Sequence, residues 1–322
     1  MTTTGGNSTS PGLVMIAGGG GFLGTATARL MASQGWKVVT LGLGAPQGAF
    51  VREGNVHHAE GLIQRQLFHA AMADHGKPDV IIHAAGGASV GRSWDDPRGD
   101  FNLSVGSTVE ILDFIREEAP DARLVLVSSA AVYGNQGKER LSESDPCEAM
   151  SPYGLHKHVC EELVTGEARM NGLDVSIVRL FSIFGEGLRK QLLWDIMRRV
   201  SADPETTLDL WGSGDETRDF VHVDDAAAIL ATLSAKPGGK GTVRLFNGGS
   251  GTAISVRELA SMLVNAAGYD TPLSFNGKAR SGDPVHLVAD ATHLRSNLGF
   301  TPKVSLEAGL KRYADWFKTQ QS

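Results

Sequence analysis

The sequence predicts an α/β protein, a doubly wound parallel sheet carrying a smaller, discontinuous α/β domain. Three observations carry that reading. Short apolar runs alternate with longer amphipathic segments as far as about residue 180, and strand alternating with helix implies parallel strands joined by right-handed crossovers. The runs are apolar throughout rather than at every second residue, as strands covered by helices on both faces require. The chain's 322 residues suit about two domains at roughly 150 residues each, and the rhythm weakens in the second half.

Met1–Gly12 reads as a flexible tail, without the basic start and apolar stretch of a signal peptide. Strands are expected at Leu13–Ala17, Lys37–Leu41, Val80–Ala84, Arg123–Ser129 and Asp174–Leu180. Helices are expected at Phe22–Gln34, Leu62–His75, Gly99–Glu118 and Ser151–Asn171, each stopped by a breaker at Gly35, Gly76–Pro78, Pro120 or Gly172. Beyond them come a basic amphipathic helix at Leu188–Val200, turn-rich Ser201–Asp219, a helix at Val223–Leu233, a strand at Val243–Phe246 and a helix at Ser255–Ala267. The last 50 residues, with Pro272, Pro284 and Pro302, read as irregular up to a closing helix at Leu306–Phe317. There is no internal repeat. The domains divide as 13–180 plus 219–246, and 181–218 plus 247–322.

Composition excludes several classes. Glycine supplies 40 residues, well above the usual share of roughly 7%, but without a Gly-X-Y period, so collagen is excluded. A net charge of −6 offers no basic field for nucleic acid. No run reaches the roughly 18 apolar residues of a membrane span. Cys147 and Cys160 are too few for a disulfide framework and lack metal-ligand spacing, so they read as reduced thiols of a cytoplasmic protein with no metal.

The glycines have a purpose after the first strand, where Gly18-Gly-Gly-Gly21-Phe22-Leu23-Gly24 leads into a helix. Unpaired N–H groups at a helix N-terminus suit a pyrophosphate, and glycines let it come close. Strand, glycine turn and helix together read as a Rossmann-type dinucleotide site. The second strand would normally end in an acid that holds the adenosine ribose. Here the corner is Thr40-Leu-Gly42-Leu-Gly44, with no Asp or Glu and no arginine, Arg52 being the nearest candidate to hold a 2′-phosphate. NAD and NADP both stay open.

The strand Arg123–Ser129 ends in Ser128-Ser129-Ala130-Ala131-Val132-Tyr133-Gly134, and a later helix opens with Ser151-Pro-Tyr153-Gly-Leu-His156-Lys157. Tyr153 and Lys157 share a helix face, so the ammonium can steady the phenolic oxygen while it carries a proton. Ser129 can hydrogen-bond a sugar hydroxyl or carbonyl. His156 could reach the rim of such a site, with packing or solvent the simpler role. His57 and His58 read as a strand end and His222 as structural.

These motifs resemble the extended short-chain dehydrogenase/reductase family, in its nucleotide-sugar epimerase, dehydratase and ketoreductase branch. The resemblance rests on Gly18/Gly21/Gly24, His83-Ala84-Ala85-Gly86, Asn102, Ser129, Tyr153 and Lys157, with Gly212–Asp225 and Arg280-Ser-Gly-Asp283-Pro further on. It implies a catalytic trio of Ser129, Tyr153 and Lys157. Cofactor contacts would come from Gly18, Gly21, Phe22, Leu23, Gly24, Gly42, Ala84, Ala85, Gly86, Asn102 and Ser128, with Tyr153 and Lys157. Arg218 and Arg280 would grip a sugar-nucleotide diphosphate, beside substrate contacts from Ser129, Ser182, Gln191 and Asp283. Arg189, Lys190 and Gln191 open a helix near the cleft. Residues 13–180 plus 219–246 would bind the dinucleotide and the rest the nucleotide-diphosphate sugar. A homodimer through the helices at 99–118 and 151–171 is expected, with no nucleic acid or membrane partner.

Two alanines narrow the reaction. Family dehydratases and decarboxylases carry glutamate where Ala131 stands, and 4,6-dehydratases place an acid at Ala130 or beside it. C3/C5 epimerase-reductases use a cysteine nearby. Alanine can move no proton. What remains is 4-epimerisation through a transient 4-keto sugar, or reduction of a nucleotide-linked 4-keto-6-deoxy sugar by NADPH. The SSAAVYG strand end is nearer the 4-epimerases, while Gly91–Pro97 resembles ketoreductases; the epimerase is the preferred reading. A non-enzymatic NAD(P)-binding regulatory protein is disfavoured, because Tyr153 and Lys157 are both present.

Overall fold

The computed structural model describes residues 11–46, 55–278 and 284–320. Seven strands form one parallel sheet: β1 (Leu13–Ala17), β2 (Lys37–Gly42), β3 (Val56–Glu60), β4 (Val80–His83), β5 (Arg123–Ser129), β6 (Val175–Leu180) and, numbered eleventh along the chain, β11 (Val243–Gly248). Their order is β11-β6-β5-β4-β1-β2-β3. The chain runs outward from β1 in one direction and from β4 in the other, so the carboxyl ends of β1 and β4 form the switch point where such sheets bind ligands.

Period-two geometry divides the core. Val14 and Ile16 of β1 face a cluster containing α1 (Phe22–Ser33) and α8 (Val223–Ala235). Leu13, Met15 and Ala17 face the opposite cluster, containing α2 (Arg65–His75), α5 (Ser107–Glu118) and α6 (Pro152–Asn171). Each fully buried aliphatic side chain contributes about 1.5–3 kcal/mol, so both faces must be covered for the sheet to stand.

The strand β3 departs from the expected pattern. His57 and His58 lie in its middle, not at a strand end, with His58 paired in register with Thr40 and its Nδ1 3.0 Å from the Thr40 hydroxyl. As the outermost strand it needs no apolar run on both faces, so its sequence, VHHAE, gave no strand signal. The helix expected at Gly99–Glu118 is also broken up. Instead α3 (Val90–Asp95), α4 (Pro97–Phe101), a π turn (Asn102–Gly106) and α5 follow one another, with the Asp96 carboxylate capping α4 at the Gly99 N–H. The helix expected from Leu62 starts at Arg65. The one expected from Leu188 is α7 (Gln191–Ala202), delayed by left-handed Gly185 and Gly187 and by a turn from Leu188 N–H to the Gly185 carbonyl.

The remaining elements are β7 (Ser182–Phe184), β8 (Leu208–Leu210), β9 (Thr217–Arg218), β10 (Phe220–His222), β12 (Ile254–Ser255), α9 (Val256–Ala266), β13 (Leu273–Phe275), β14 (His286–Leu287), α10 (Thr292–Leu298) and α11 (Leu306–Thr319). β7 pairs with β10, β8 with β13, and β9 lies between β12 and β14. Leu193, Ile196 and Met197 of α7 pack with Leu259 and Leu263 of α9 and with Leu310, Tyr313 and Phe317 of α11, forming a core separate from the sheet's two faces. No helix among the described residues is long and apolar enough to cross a membrane.

Candidate active site

A cavity of about 1860 Å³ runs from the carboxyl ends of β1 and β4 to α7 and β9. Of the described residues that the sequence assigned to catalysis, cofactor or substrate, or placed at the opening of the helix near the cleft, all but Arg189 line it. Gly18, Gly21, Phe22, Leu23, Gly24 and Gly42 stand at one end, Ser182, Gln191 and Arg218 at the other. Ala84, Ala85, Gly86, Asn102, Ser128, Ser129, Tyr153 and Lys157 lie between. Arg52, Arg280, Asp283 and the N-terminal tail as far as Ser10 lie outside the described residues.

At the first end the backbone itself is the wall. Gly18 takes φ +82°, and a β-carbon there would lie 2.7 Å from the Ala85 nitrogen; one on Gly24 would collide with the Gly18 carbonyl. α1 begins at Gly21 with no side-chain cap and no acid in its first turn. Its leading N–H groups are therefore open to an anion, and this donor set fits the pyrophosphate of a dinucleotide. At the next corner Gly42, Leu43, Leu62 and Ile63 line the cavity, with no carboxylate beside them in its lining among the described residues.

In the middle, α6 is anchored at its start. The Ser151 hydroxyl accepts from Gly154 N–H at 3.1 Å, and Tyr153 N–H donates to the Ser93 hydroxyl at 3.1 Å. One turn on, Lys157 is buried and its Nζ donates to the Val127 carbonyl at 3.1 Å. That ammonium faces Gly86, where a β-carbon would stand 3.3 Å from it. Ser129 Oγ accepts from Ala131 N–H at 3.2 Å, capping a short 3-10 turn. The methyl groups of Ala130 and Ala131 complete this stretch of wall. Beneath it His83 is buried and held neutral, its pKa driven down to about 3 by burial and by the Lys157 charge.

Behind Ser128 lies a buried ion pair. Arg179 Nε and Nη2 grip the Glu161 carboxylate (2.7 Å at the shortest), which also accepts from the Ser128 hydroxyl at 2.5 Å. The guanidinium covers the Tyr133 ring, and Tyr133 donates to Asn247 Oδ1 at 2.6 Å. Cys147, His158 and Glu161 come close enough to hold a metal ion. Arg179 already occupies that position as the cation, with Nη2 3.1 Å from the Cys147 sulfur.

The histidines take structural places. His156 Nδ1 lies 2.6 Å from the Asp100 carboxylate, both buried, so it packs α6 onto α4. His222 caps α8 through the Asp224 N–H and meets Glu186 at 3.0 Å. At the far end Arg218 Nη1 donates to the Thr217 carbonyl at 2.9 Å. The three residues at the start of α7 diverge. Arg189 bonds Gln320 and covers Trp316, whereas Lys190 and Gln191 line the cavity. Trp194, Trp211 and Lys278 also line this end and were not anticipated. Their positions depend on how α7, β8 and the turn after β13 fold back on one another, which no local motif records.

Comparison with known proteins agrees with this geometry. A model of the NAD dependent epimerase/dehydratase family matches residues 14–249. The UDP-glucose 4-epimerase of Streptomyces lividans is 29% identical over 311 residues, covering 90% of this chain and 92% of that protein. A putative UDP-glucose 4-epimerase of Methanocaldococcus jannaschii is 30% identical over 249 residues, covering 74% and 77%. Among solved structures, MoeE5 in complex with UDP-glucuronic acid and NAD superposes with a TM-score of 0.84 at 26% identity, covering 95% of this chain and 99% of that one. The chain belongs to the NAD-dependent epimerase/dehydratase family, within the extended short-chain dehydrogenase/reductases.

Proposed function

We propose that the protein is an NAD-dependent nucleotide-sugar 4-epimerase acting through a transient 4-keto sugar, with Tyr153 as acid and base. The observation that carries this reading is the cavity wall that Tyr153, Lys157 and Ser129 line together with Ala130 and Ala131, whose side chains are only methyl groups. Such a wall can move one proton at a carbinol carbon but holds no carboxylate for expelling water or epimerising C5. The named relatives, one a UDP-glucose 4-epimerase and one a putative UDP-glucose 4-epimerase, point the same way.

NAD, when bound, supplies the acceptor and later the donor of the C4 hydride. It would lie along Gly18, Gly21, Phe22, Leu23, Gly24, Gly42, Ala84, Ala85, Gly86, Asn102 and Ser128, with its pyrophosphate at the open start of α1. Tyr153 takes the proton of the sugar 4-hydroxyl and returns it after the ring has turned over. Lys157 steadies the phenolic oxygen, and Ser129 holds the C4 oxygen from the other side. Arg218 and Arg280 grip the diphosphate, with Ser182, Gln191 and Asp283 along the substrate. The residues 13–180 plus 219–246 serve the cofactor and the others the sugar nucleotide. A cytoplasmic homodimer completes the proposal.

The stretch Thr40–Gly44, which lacks Asp and Glu, favours one alternative, an NADPH-dependent reductase of a nucleotide-linked 4-keto-6-deoxy sugar. One experiment separates the two. The protein as isolated is examined by mass spectrometry for retained NAD and then incubated with UDP-glucose without added cofactor. Retained NAD with formation of the C4 epimer supports the epimerase. An empty site that consumes NADPH with a 4-keto sugar replaces it with the reductase.

A further inference from the structure

Two cations that the catalytic reading leaves unused line the cavity between its middle and its far end. Arg92 sits in α3 next to Ser93, whose hydroxyl accepts the Tyr153 N–H. Arg92 therefore stands beside the start of α6, not among the residues around Arg218. Lys190 approaches from the opposite wall, its Nζ 3.1 Å from the Ala88 carbonyl in the loop that leaves β4 past Gly86 and Lys157. Both side chains line the cavity.

Neither cation is paired with a carboxylate among the described residues. The acids lining the same cavity are engaged elsewhere: Glu216 with the Ser213 and Gly214 N–H groups, Asp195 with Arg199, Glu110 with the Arg65 N–H. Burial and the nearby Arg92 charge both act against Lys190, pulling its pKa down. The backbone is also strained to aim this segment, since Gln191 is the only non-glycine among the described residues with positive φ, at +66°. Strain of that kind persists where surrounding structure enforces it, most often at ligand sites. The turn sends Arg189 outward to Trp316 and Lys190 inward. Two like charges held together without a counter-ion call for an anion from the ligand.

We propose that Arg92 and Lys190 clamp an acidic group on the sugar itself, so that the preferred substrate is a nucleotide-linked uronic acid and not a neutral hexose. This rests on the 4-epimerase reading and deepens it. A uronic acid carries its carboxylate on C5, next to the carbon that would react at Tyr153, and Arg92 adjoins the Ser93 hydroxyl that holds the Tyr153 N–H. The diphosphate is the other anion available to them, and the test separates the two.

The NAD-loaded full-length protein is given UDP-glucuronate and UDP-glucose, with kcat/KM and equilibrium binding measured for each. The wild type is expected to favour the uronate by roughly tenfold or more. Arg92→Gln and Lys190→Met are each expected to cut that ratio by roughly tenfold, the effect of losing one charge-assisted hydrogen bond, while Lys190→Arg largely keeps it. Equal losses for both sugars would assign the cations to the diphosphate and overturn the proposal, as would a wild type that prefers UDP-glucose. Tighter binding of the uronate with no turnover of either sugar would sink the epimerase reading but uphold the clamp.

Discussion

Replacing Arg179 by methionine isolates the buried ion pair behind the cavity wall at Ser128. Arg179 and Glu161 side chains are 6% and 5% exposed, so solvent barely screens them. In the variant, Glu161 keeps only the Ser128 hydroxyl and a weak approach from His158, 3.7 Å away. Breaking one side of a buried pair costs about 3–5 kcal/mol, because a charge is left unpaired in low dielectric. Loss of the guanidinium over the Tyr133 ring, 4.7 Å from its centroid, adds about 0.5–1 kcal/mol. A total near 4 kcal/mol, with an m-value of about 3 kcal/mol/M, lowers the urea midpoint by more than about 1 M. Equilibrium unfolding at neutral pH, followed by circular dichroism, reads this directly. Adding Glu161→Leu to the variant should recover about half the loss, since an apolar pair leaves no orphan charge. A single-variant loss below about 1 kcal/mol, or a double variant no more stable than the single, would refute the argument.

Tyr153→Phe should lower turnover by roughly 10²- to 10⁴-fold while NAD(H) binding, read by fluorescence, persists; full activity would remove Tyr153 from the chemistry. Gly24→Ala drives a methyl into the Gly18 carbonyl and should strip bound nicotinamide from the purified protein, measured by absorbance per chain. Retained stoichiometry would mean that α1 does not pack on the loop as described. His83 is held neutral down to a pKa of about 3, whereas an unfolded histidine titrates near 6.5. Between those values the unfolded state binds the extra proton, so stability falls as pH falls from about 6.5 toward 3. His83→Gln should flatten that slope in urea midpoints taken at successive pH values, and an unchanged slope would count against the buried neutral histidine.

What could be read from the sequence was local and apolar. The sheet strands β1, β2, β4, β5 and β6 announced themselves as uninterrupted hydrophobic runs, and the glycine loop stood between a strand and a helix. The strand β3 escaped because an edge position frees it from that pattern. The π turn at Asn102–Gly106 escaped because one extra residue per turn leaves helical composition unchanged. Pairings across long separations were equally hidden: Asp100 with His156, and Glu161 with Arg179, depend on how α6 lies against α4 and β6. Arg189 and Lys190 are adjacent basic residues in sequence, and only the strained turn at Gln191 decides which enters the cavity.

The position of β11 has a consequence for synthesis on the ribosome. Its sheet partner is β6, joined through the register Val243↔Val175 to Gly248↔Leu180, yet the chain between them must first build β7, α7 and α8. A nascent chain that has emerged only to residue 242 can therefore hold at most six strands, with the backbone edge of β6 open to other strands. Domains tend to fold as units in N-to-C order during translation. Here the seven-stranded sheet reaches its full width only after β7 to β10, α7 and α8 are complete, which makes residues 175–180 the edge most in need of protection while the protein is being made.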